Sequence, residues 1–259
     1  SLLLLAVDEQ DRRREKDDVV PLFELPGRNA EKRCHCLELG DDSPALVFID
    51  QLVHDPVERN AGSAAALVEV HQHRLVRGKD YLETRDWSDT QIDLLLKTSA
   101  DLKKAFRKGA STRYLPDKSV FLFFFDKSTR TRNSFEAGAT QLGAHAHFIS
   151  AETSQVAHGE SPRDLGLILS SYGHAIAIRH DLVPGEGNSY MREVAGHATV
   201  PVYNMQCDID HPFQTLADLM TIREEFGRNL RGRKIVVSWA YAPSYAKPMS
   251  VPQGLITLM

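Results

Sequence analysis

Apolar positions along this chain recur with a clear period from Asp86 onward, and without one before it. Ser88, followed three residues later by Gln91, is a capping box, and Ile92, Leu95, Leu96, Leu102 and Phe106 continue one helical face behind it. Val120 to Phe125 is an unbroken apolar run of strand length, the pattern of a strand covered on both faces. The pattern then predicts a helix from Thr131 through Ala139 to about Leu142, and a strand at His147 to Ser150. A helix at Asp164 to Tyr172 and a second buried strand at Ala175 to Arg179 follow. Ser189 to Val194 reads as a short helix and Val202 to Met205 as a strand. Phe213 to Phe226 is an amphipathic helix closed by Gly227. Lys234 to Trp239 is a strand again, and the final VPQGLITLM is helical in pattern. Strands alternating with helices predict an α/β fold: a parallel sheet covered by helices on both faces, joined by right-handed crossovers.

Residues 1–78 resist this reading. Charge runs between Asp8 and Asp18 alternate with short apolar pieces such as Ala45 to Asp50, which fits either a small appended layer or an unordered tail. The opening SLLLLAV has no basic flank and gives way at once to DEQDRRREKDD, unlike a signal peptide. A first residue other than Met and a last stretch that stops inside a predicted helix read as a fragment or a truncated gene product.

Composition narrows the partners. A length of 259 residues, 42% of them hydrophobic, supports one or two domains. A net charge of −4 points to no nucleic acid and no membrane surface, and no apolar run reaches the length of a membrane span. Cys34, Cys36 and Cys207 make no disulfide framework, which fits a reducing compartment, the cytoplasm. Cys34-His35-Cys36 lacks a second ligand pair at usual spacing, so no metal is expected there.

In open parallel sheets ligands bind beyond the carboxyl ends of the strands, so the loops there are the place to look. The loop after Phe125 is the most specific: Ser128, Thr129, Arg130, Thr131 and Arg132 crowd the start of a helix. Hydroxyls and free backbone N–H groups at a helix start can wrap a tetrahedral dianion, and Arg130 adds a planar fork of donors for its oxygens. The bland alternative, a capped and solvated basic turn, would not need two threonines and two arginines there. Neither GxxxxGK[ST] nor GxGxxG is present, which counts against a nucleotide-binding fold. Arg179 directly follows a buried strand, with Asp181 as a local partner that could account for it. The loop after Met205 runs into His211-Pro212-Phe213-Gln214 at the start of a helix, where both His211 and Gln214 could donate to one carbonyl oxygen.

The Ser-Thr-Arg-Thr-Arg packet, an arginine after the third strand and His-Pro-x-Gln opening a helix resemble the aspartate/ornithine carbamoyltransferase superfamily. HPFQTLADLMTIREEFG is similar to that family almost residue by residue, and the resemblance covers about Lys79 to Met259. It implies a carbamoyl-phosphate-binding domain over residues 79–228, the opening strand and helix of an amino-acid-binding domain over 229–259, and an unmatched extension over 1–78. It implies that Ser128, Thr129, Arg130 and Thr131 hold the phosphate of carbamoyl phosphate, with Arg132 in a structural pair. Arg179, His211 and Gln214 would bind the carbamoyl group, with Arg179, His211 and Thr131 as the catalytic donors. The loop SQVAHGES would be the segment that a neighbouring subunit of a homotrimer inserts into the site, bringing Gln155 and His158. His158 stands where aspartate enzymes carry a lysine, so the charge of that loop would vary with pH near neutrality. The proline- and aromatic-rich WAYAPSYAKPMSVPQ is similar to the knotted branch that includes acetylornithine and succinylornithine carbamoyltransferases. The implied activity is cofactor-free transfer of a carbamoyl group to an amino acid or related amine. A carbamoyl-phosphate- or phosphate-binding module without turnover is the alternative.

Overall fold

The structure is a computed structural model that describes residues 2–7, 36–37, 76, 78–239 and 249–259. Its body is a four-stranded sheet in the order β4-β3-β5-β6, formed by β3 (Ser119–Phe124), β4 (His145–Ser150), β5 (Ala175–His180) and β6 (Val202–Cys207). All its pairings are parallel. Successive side chains of a strand face opposite sides of a sheet, and here both sides are covered. Val120, Leu122, Phe124, Ala175, Ala177, Tyr203 and Met205 pack on one side with α1 (Asp89–Arg107), α2 (Arg130–Gln141) and α5 (Pro212–Phe226). Phe121, Phe123, Ile176, Ile178 and Val202 pack on the other with α3 (Pro162–Tyr172) and α4 (Gly187–His197). Continuous apolar strands are therefore what the fold demands, and the predicted α/β class is the observed one.

Most element boundaries agree with the sequence pattern. The capping box of α1 is formed in both directions, with Ser88 Oγ accepting from the Gln91 N–H at 3.4 Å and Gln91 Oε1 accepting from the Ser88 N–H at 3.0 Å. The buried face of α1 ends at Lys103, and Phe106, in the last turn, is exposed instead of continuing the core. β4 begins at His145, two residues earlier than its apolar pattern, because an edge strand pairs through its backbone and tolerates exposed side chains such as His145 and His147. Gly166 allows α3 and α4 to touch: a Cβ there would stand 2.7 Å from the Val194 carbonyl oxygen.

Outside the main sheet, β1 (Leu2–Val7) runs antiparallel to β7 (Lys234–Trp239), and β2 (Cys36–Leu37) to β1. The last helix, α6 (Ser250–Leu258), packs against α5 and the turn Thr84–Asp86. Gln206 Nε2 at the end of β6 donates to Ser250 Oγ at 3.2 Å, which ties α6 to the main sheet. Cys34, His35, the charge run Asp8 to Asp18, the piece Ala45 to Asp50 and most of the proline-rich loop after Trp239 lie outside the described residues.

Candidate functional site

Parallel pairing brings the carboxyl ends of β3, β5 and β6 side by side, so the loops after them face one another. Arg179 is the second-to-last residue of β5, and the β5–β6 register shifts between Ile178 and Arg179. Such irregularities re-aim side chains at functional sites. Here the guanidinium reaches across to the start of α2. Its Nη1 donates to Thr131 Oγ1 at 2.9 Å and to Ser128 Oγ at 3.2 Å. Its other nitrogens fork onto Asp181, at 3.3 Å from Nε and 3.1 Å from Nη2. Pairing with Asp181 and serving the loop after β3 were rival readings of Arg179; the structure shows both at once.

Thr129 precedes α2 in a helical conformation and makes no side-chain cap, so no side chain occupies the N–H groups of the first turn. Thr131 is buried, Ser128 is half-buried, and Thr129 and Arg130 are exposed. Arg132 is engaged elsewhere: it pairs with Glu136 at 2.9 Å and lies 3.5 Å from the centre of the Phe148 ring. Arg130 makes no hydrogen bond or ion pair among the described residues. The loop thus offers an open helix end, three hydroxyls and two exposed cations, Lys127 and Arg130, with Arg179 beneath it.

His211 is the N-cap residue of α5, with Pro212 in its first turn, and is only 7% exposed. Burial, followed by the nearby charge of Arg179, lowers its pKa to about 3, so the imidazole is neutral at ordinary pH. Its Nδ1 has no hydrogen-bond partner among the described residues. Backbone and side-chain ties hold the preceding turn. Asp210 Oδ2 accepts from the Thr84 N–H at 2.6 Å, and Cys207 Sγ accepts from the N–H groups of Ile209 and Asp210 at 3.4 and 3.3 Å. Asn204 Nδ2 donates to the Leu82 carbonyl at 2.7 Å and to the Asp210 carbonyl at 3.4 Å. Cys207 is buried and free, and burial raises its thiol pKa, so it serves the turn as an acceptor and not as a nucleophile.

Gln214 lies three residues beyond His211, on the same side of the first turn of α5. Its Nε2 donates to Asp218 Oδ1 at 2.8 Å. Asp218 is 1% exposed, and burial raises its pKa to about 7. Sequence reading passed over Asp218 and Asp210 as site elements, and named Asp181 only as a partner that could account for Arg179. The signal available for Asp218 was its spacing of four from Gln214.

Gln155 and His158 occupy a short 3-10 turn, Gln155–His158, that Gly159 closes in the left-handed region at a φ of 92°. Both are exposed, and neither hydrogen-bonds to another candidate residue within the chain. One chain therefore assembles Ser128, Thr131, Arg179 and His211 but not the loop of Gln155 and His158. Among the described residues, no cluster of three His, Cys, Asp or Glu side chains could hold a metal ion, and no helix is long and apolar enough to cross a membrane.

Residues 79–224 match the family model of the aspartate/ornithine carbamoyltransferase carbamoyl-phosphate-binding domain. The chain is 41% identical over 194 residues to YgeW, a carbamoyltransferase-family protein of Escherichia coli (strain K12), a match covering 70% of this chain and 49% of that protein. It is 40% identical over 160 residues to ornithine carbamoyltransferase of Halalkalibacterium halodurans, covering 62% of this chain and 48% of that one. Among solved structures, ornithine carbamoyltransferase from Pyrococcus furiosus superposes with a TM-score of 0.54 at 36% identity, over 58% of this chain and 46% of that chain. The chain spans about half the length of the curated relatives it matches.

Proposed function

Because the chain belongs to the aspartate/ornithine carbamoyltransferase family through its carbamoyl-phosphate-binding domain, we propose that the cradle at the start of α2 binds carbamoyl phosphate. The whole protein then transfers the carbamoyl group to the amino group of an amino acid or related amine and releases phosphate. One observation carries this reading: Arg179 joins the hydroxyls of Ser128 and Thr131 within one hydrogen-bonded unit, with the neutral imidazole of His211 nearby. Residues 79–228 are the donor-binding domain, and 229–259 open the domain that selects the amine.

The roles follow from the chemistry of each group. Ser128, Thr129, Thr131, the first-turn N–H groups of α2 and Arg130 receive the phosphate, an arrangement suited to a dianion at a helix N-terminus. An uncharged amine attacks the carbamoyl carbon, and its carbonyl oxygen gains negative charge. Arg179, His211 and Thr131 donate to that oxygen as an oxyanion hole does. The bond from carbon to the bridging phosphate oxygen then breaks, and the departing phosphate takes the electron pair and the proton that the attacking nitrogen sheds, while Arg130 and the hydroxyls offset its charge. A neutral His211 suits this work, since an imidazole donates one N–H without adding a charge that must be desolvated. Gln155 and His158 come from a neighbouring copy in a homotrimer with shared sites, which their exposure and their lack of a hydrogen bond to the other candidate residues support. The assembled protein works in the cytoplasm, consistent with a chain whose only described cysteine side chain is a buried free thiol.

Titration calorimetry with carbamoyl phosphate tests the donor site. Saturable heat that Arg130→Ala reduces roughly 10- to 100-fold in affinity is expected, the range for losing a charge-assisted pair of hydrogen bonds. An absence of heat from the folded protein would sink the proposal. Colorimetric detection of ureido products over a panel of amines tests transfer separately from binding.

A further inference from the structure

We propose that Asp218 is a positioning residue that fixes which end of the Gln214 amide faces the donor site. The proposal rests on the carbamoyl-phosphate reading above, and goes beyond it by assigning a task to a residue inside α5. An amide side chain can present either its oxygen or its NH2 group outward, and the two ends have opposite hydrogen-bonding character. A carboxyl group keeps an oxygen free to accept whether ionised or protonated, so Asp218 can hold the NH2 end of Gln214 in either state. The observed bond is that one: Gln214 Nε2 donates to Asp218 Oδ1 at 2.8 Å. Oε1 of Gln214 is then the end left for a ligand.

The distinction matters because the two poles of carbamoyl phosphate differ in the same way. Its phosphate accepts hydrogen bonds, which the cradle's N–H groups and Arg130 donate and its hydroxyls can turn to donate. Its carbamoyl NH2 must donate, and it needs an acceptor. Among Ser128, Thr129, Arg130, Thr131, Arg179, His211 and Gln214, the amide oxygen of Gln214 is the side-chain carbonyl. With Asp218 holding the NH2 end, that oxygen presents a preoriented acceptor, and free inorganic phosphate gains nothing from it.

The burial of Asp218 supports a purpose beyond the helix itself. A carboxylate 1% exposed on a helix that otherwise buries Leu216, Ala217, Leu219 and Met220 is costly. Its Oδ2 has no partner among the described residues, so the Gln214 bond is its one described hydrogen bond. A leucine of similar shape would serve the packing of α5 better.

The experiment compares affinity for carbamoyl phosphate with affinity for inorganic phosphate, by calorimetry on the full chain. Asp218→Leu removes the acceptor while keeping bulk, and Asp218→Asn keeps an oxygen but adds a competing donor. The preference for carbamoyl phosphate over phosphate is expected to fall about 10-fold in Asp218→Leu and about threefold in Asp218→Asn, with phosphate affinity itself unchanged. A purely structural role would move both ligands together. An unchanged preference in a folded Asp218→Leu protein overturns the assignment, and if that variant fails to fold, an unchanged preference in Asp218→Asn does so. If the unaltered chain binds phosphate but shows no preference for carbamoyl phosphate, the functional reading fails first, and with it this one.

Discussion

Arg179 joins two loops of the site, donating to Thr131 Oγ1 at 2.9 Å across strands β5 and β3 while its opposite edge holds Asp181 at 3.1 Å. The acid keeps the guanidinium fixed, and the guanidinium keeps the hydroxyl aimed. Asp181 has a side chain 2% exposed, so the ion pair lies largely out of water. Breaking a buried pair from one side costs about 3 kcal/mol, because the remaining charge loses the cation it faces. Arg179→Met is therefore expected to lower the melting temperature by roughly 5–10 °C, at about 2–4 °C per kcal/mol for a protein of this size. Adding Asp181→Asn removes the buried charge that Arg179 faced and should restore part of that stability, but none of the carbamoyl phosphate binding. Thermal melts and calorimetry on the single and double variants check this. An Arg179→Met protein as stable as the parent would show that the pair contributes nothing to the fold.

Two buried titratable groups on α5 give stability opposite pH trends. His211 has a folded pKa of about 3 against an ordinary 6.5, so the unfolded chain takes its proton first and stability is lost as pH falls below 6.5. Asp218 has a folded pKa of about 7 against an ordinary 3.8, so its contribution is present below 3.8 and is lost as pH rises toward 7. Each effect is on the order of 4 kcal/mol at most, and between pH ~4.5 and ~6.5 they oppose each other. Urea unfolding across that window should show Asp218→Asn losing stability on acidification, because only the histidine effect remains. His211→Gln should show the reverse. Parallel slopes in the two variants would refute the opposition.

How much of this was readable in advance depends on the range of the interaction. The strands were legible because Val120 to Phe124 and Ala175 to Ile178 are apolar at every position, as burial on both faces requires. The cradle was legible because Ser128, Thr129, Arg130 and Thr131 are contiguous, and strand ends are where such groups matter. Asp210 was not, because its partner Thr84 is 126 residues away and no local pattern links them. Asp218 was hidden for another reason. In TLADLMTIREE an acid reads as part of a solvated face, and only the packing of α5 shows it buried. The antiparallel ladder between β1 and β7 was likewise unreadable, since an isolated apolar run such as LLLLAV carries no mark of its partner.

Gly254 is the close contact between α6 and the turn that carries His211. A Cβ at this position would collide with Asp210 Oδ1 and stand 2.7 Å from Thr215 Cγ2. Asp210 is anchored to Thr84 and directly precedes His211, so the added methyl pushes either α6 away or the turn out of place. Gly254→Ala is expected to destabilise by about 1–3 kcal/mol, the usual effect of overpacking. Thr215→Ser in the same chain removes the Cγ2 methyl and should recover part of this. Urea unfolding with each variant measures both. A Gly254→Ala protein as stable as the parent would mean that α6 docks elsewhere.

The proposed sharing of the site between copies makes a quantitative prediction. Arg130 acts within its own chain's cradle, whereas His158, exposed on its own turn, would serve a neighbour. Arg130→Ala and His158→Ala chains should each bind carbamoyl phosphate poorly alone. In a randomly mixed trimer, a site is intact when the chain supplying the cradle carries Arg130 and the neighbour supplying the loop carries His158. Each condition holds half the time in an equal mixture, so about a quarter of sites should recover parental affinity. Subunit exchange is driven by dilution from urea and verified with differently tagged chains, and calorimetry then counts the competent sites. Exchanged trimers with no high-affinity sites would place both residues in the same chain's site, and competence in half of the sites would remove His158 from it.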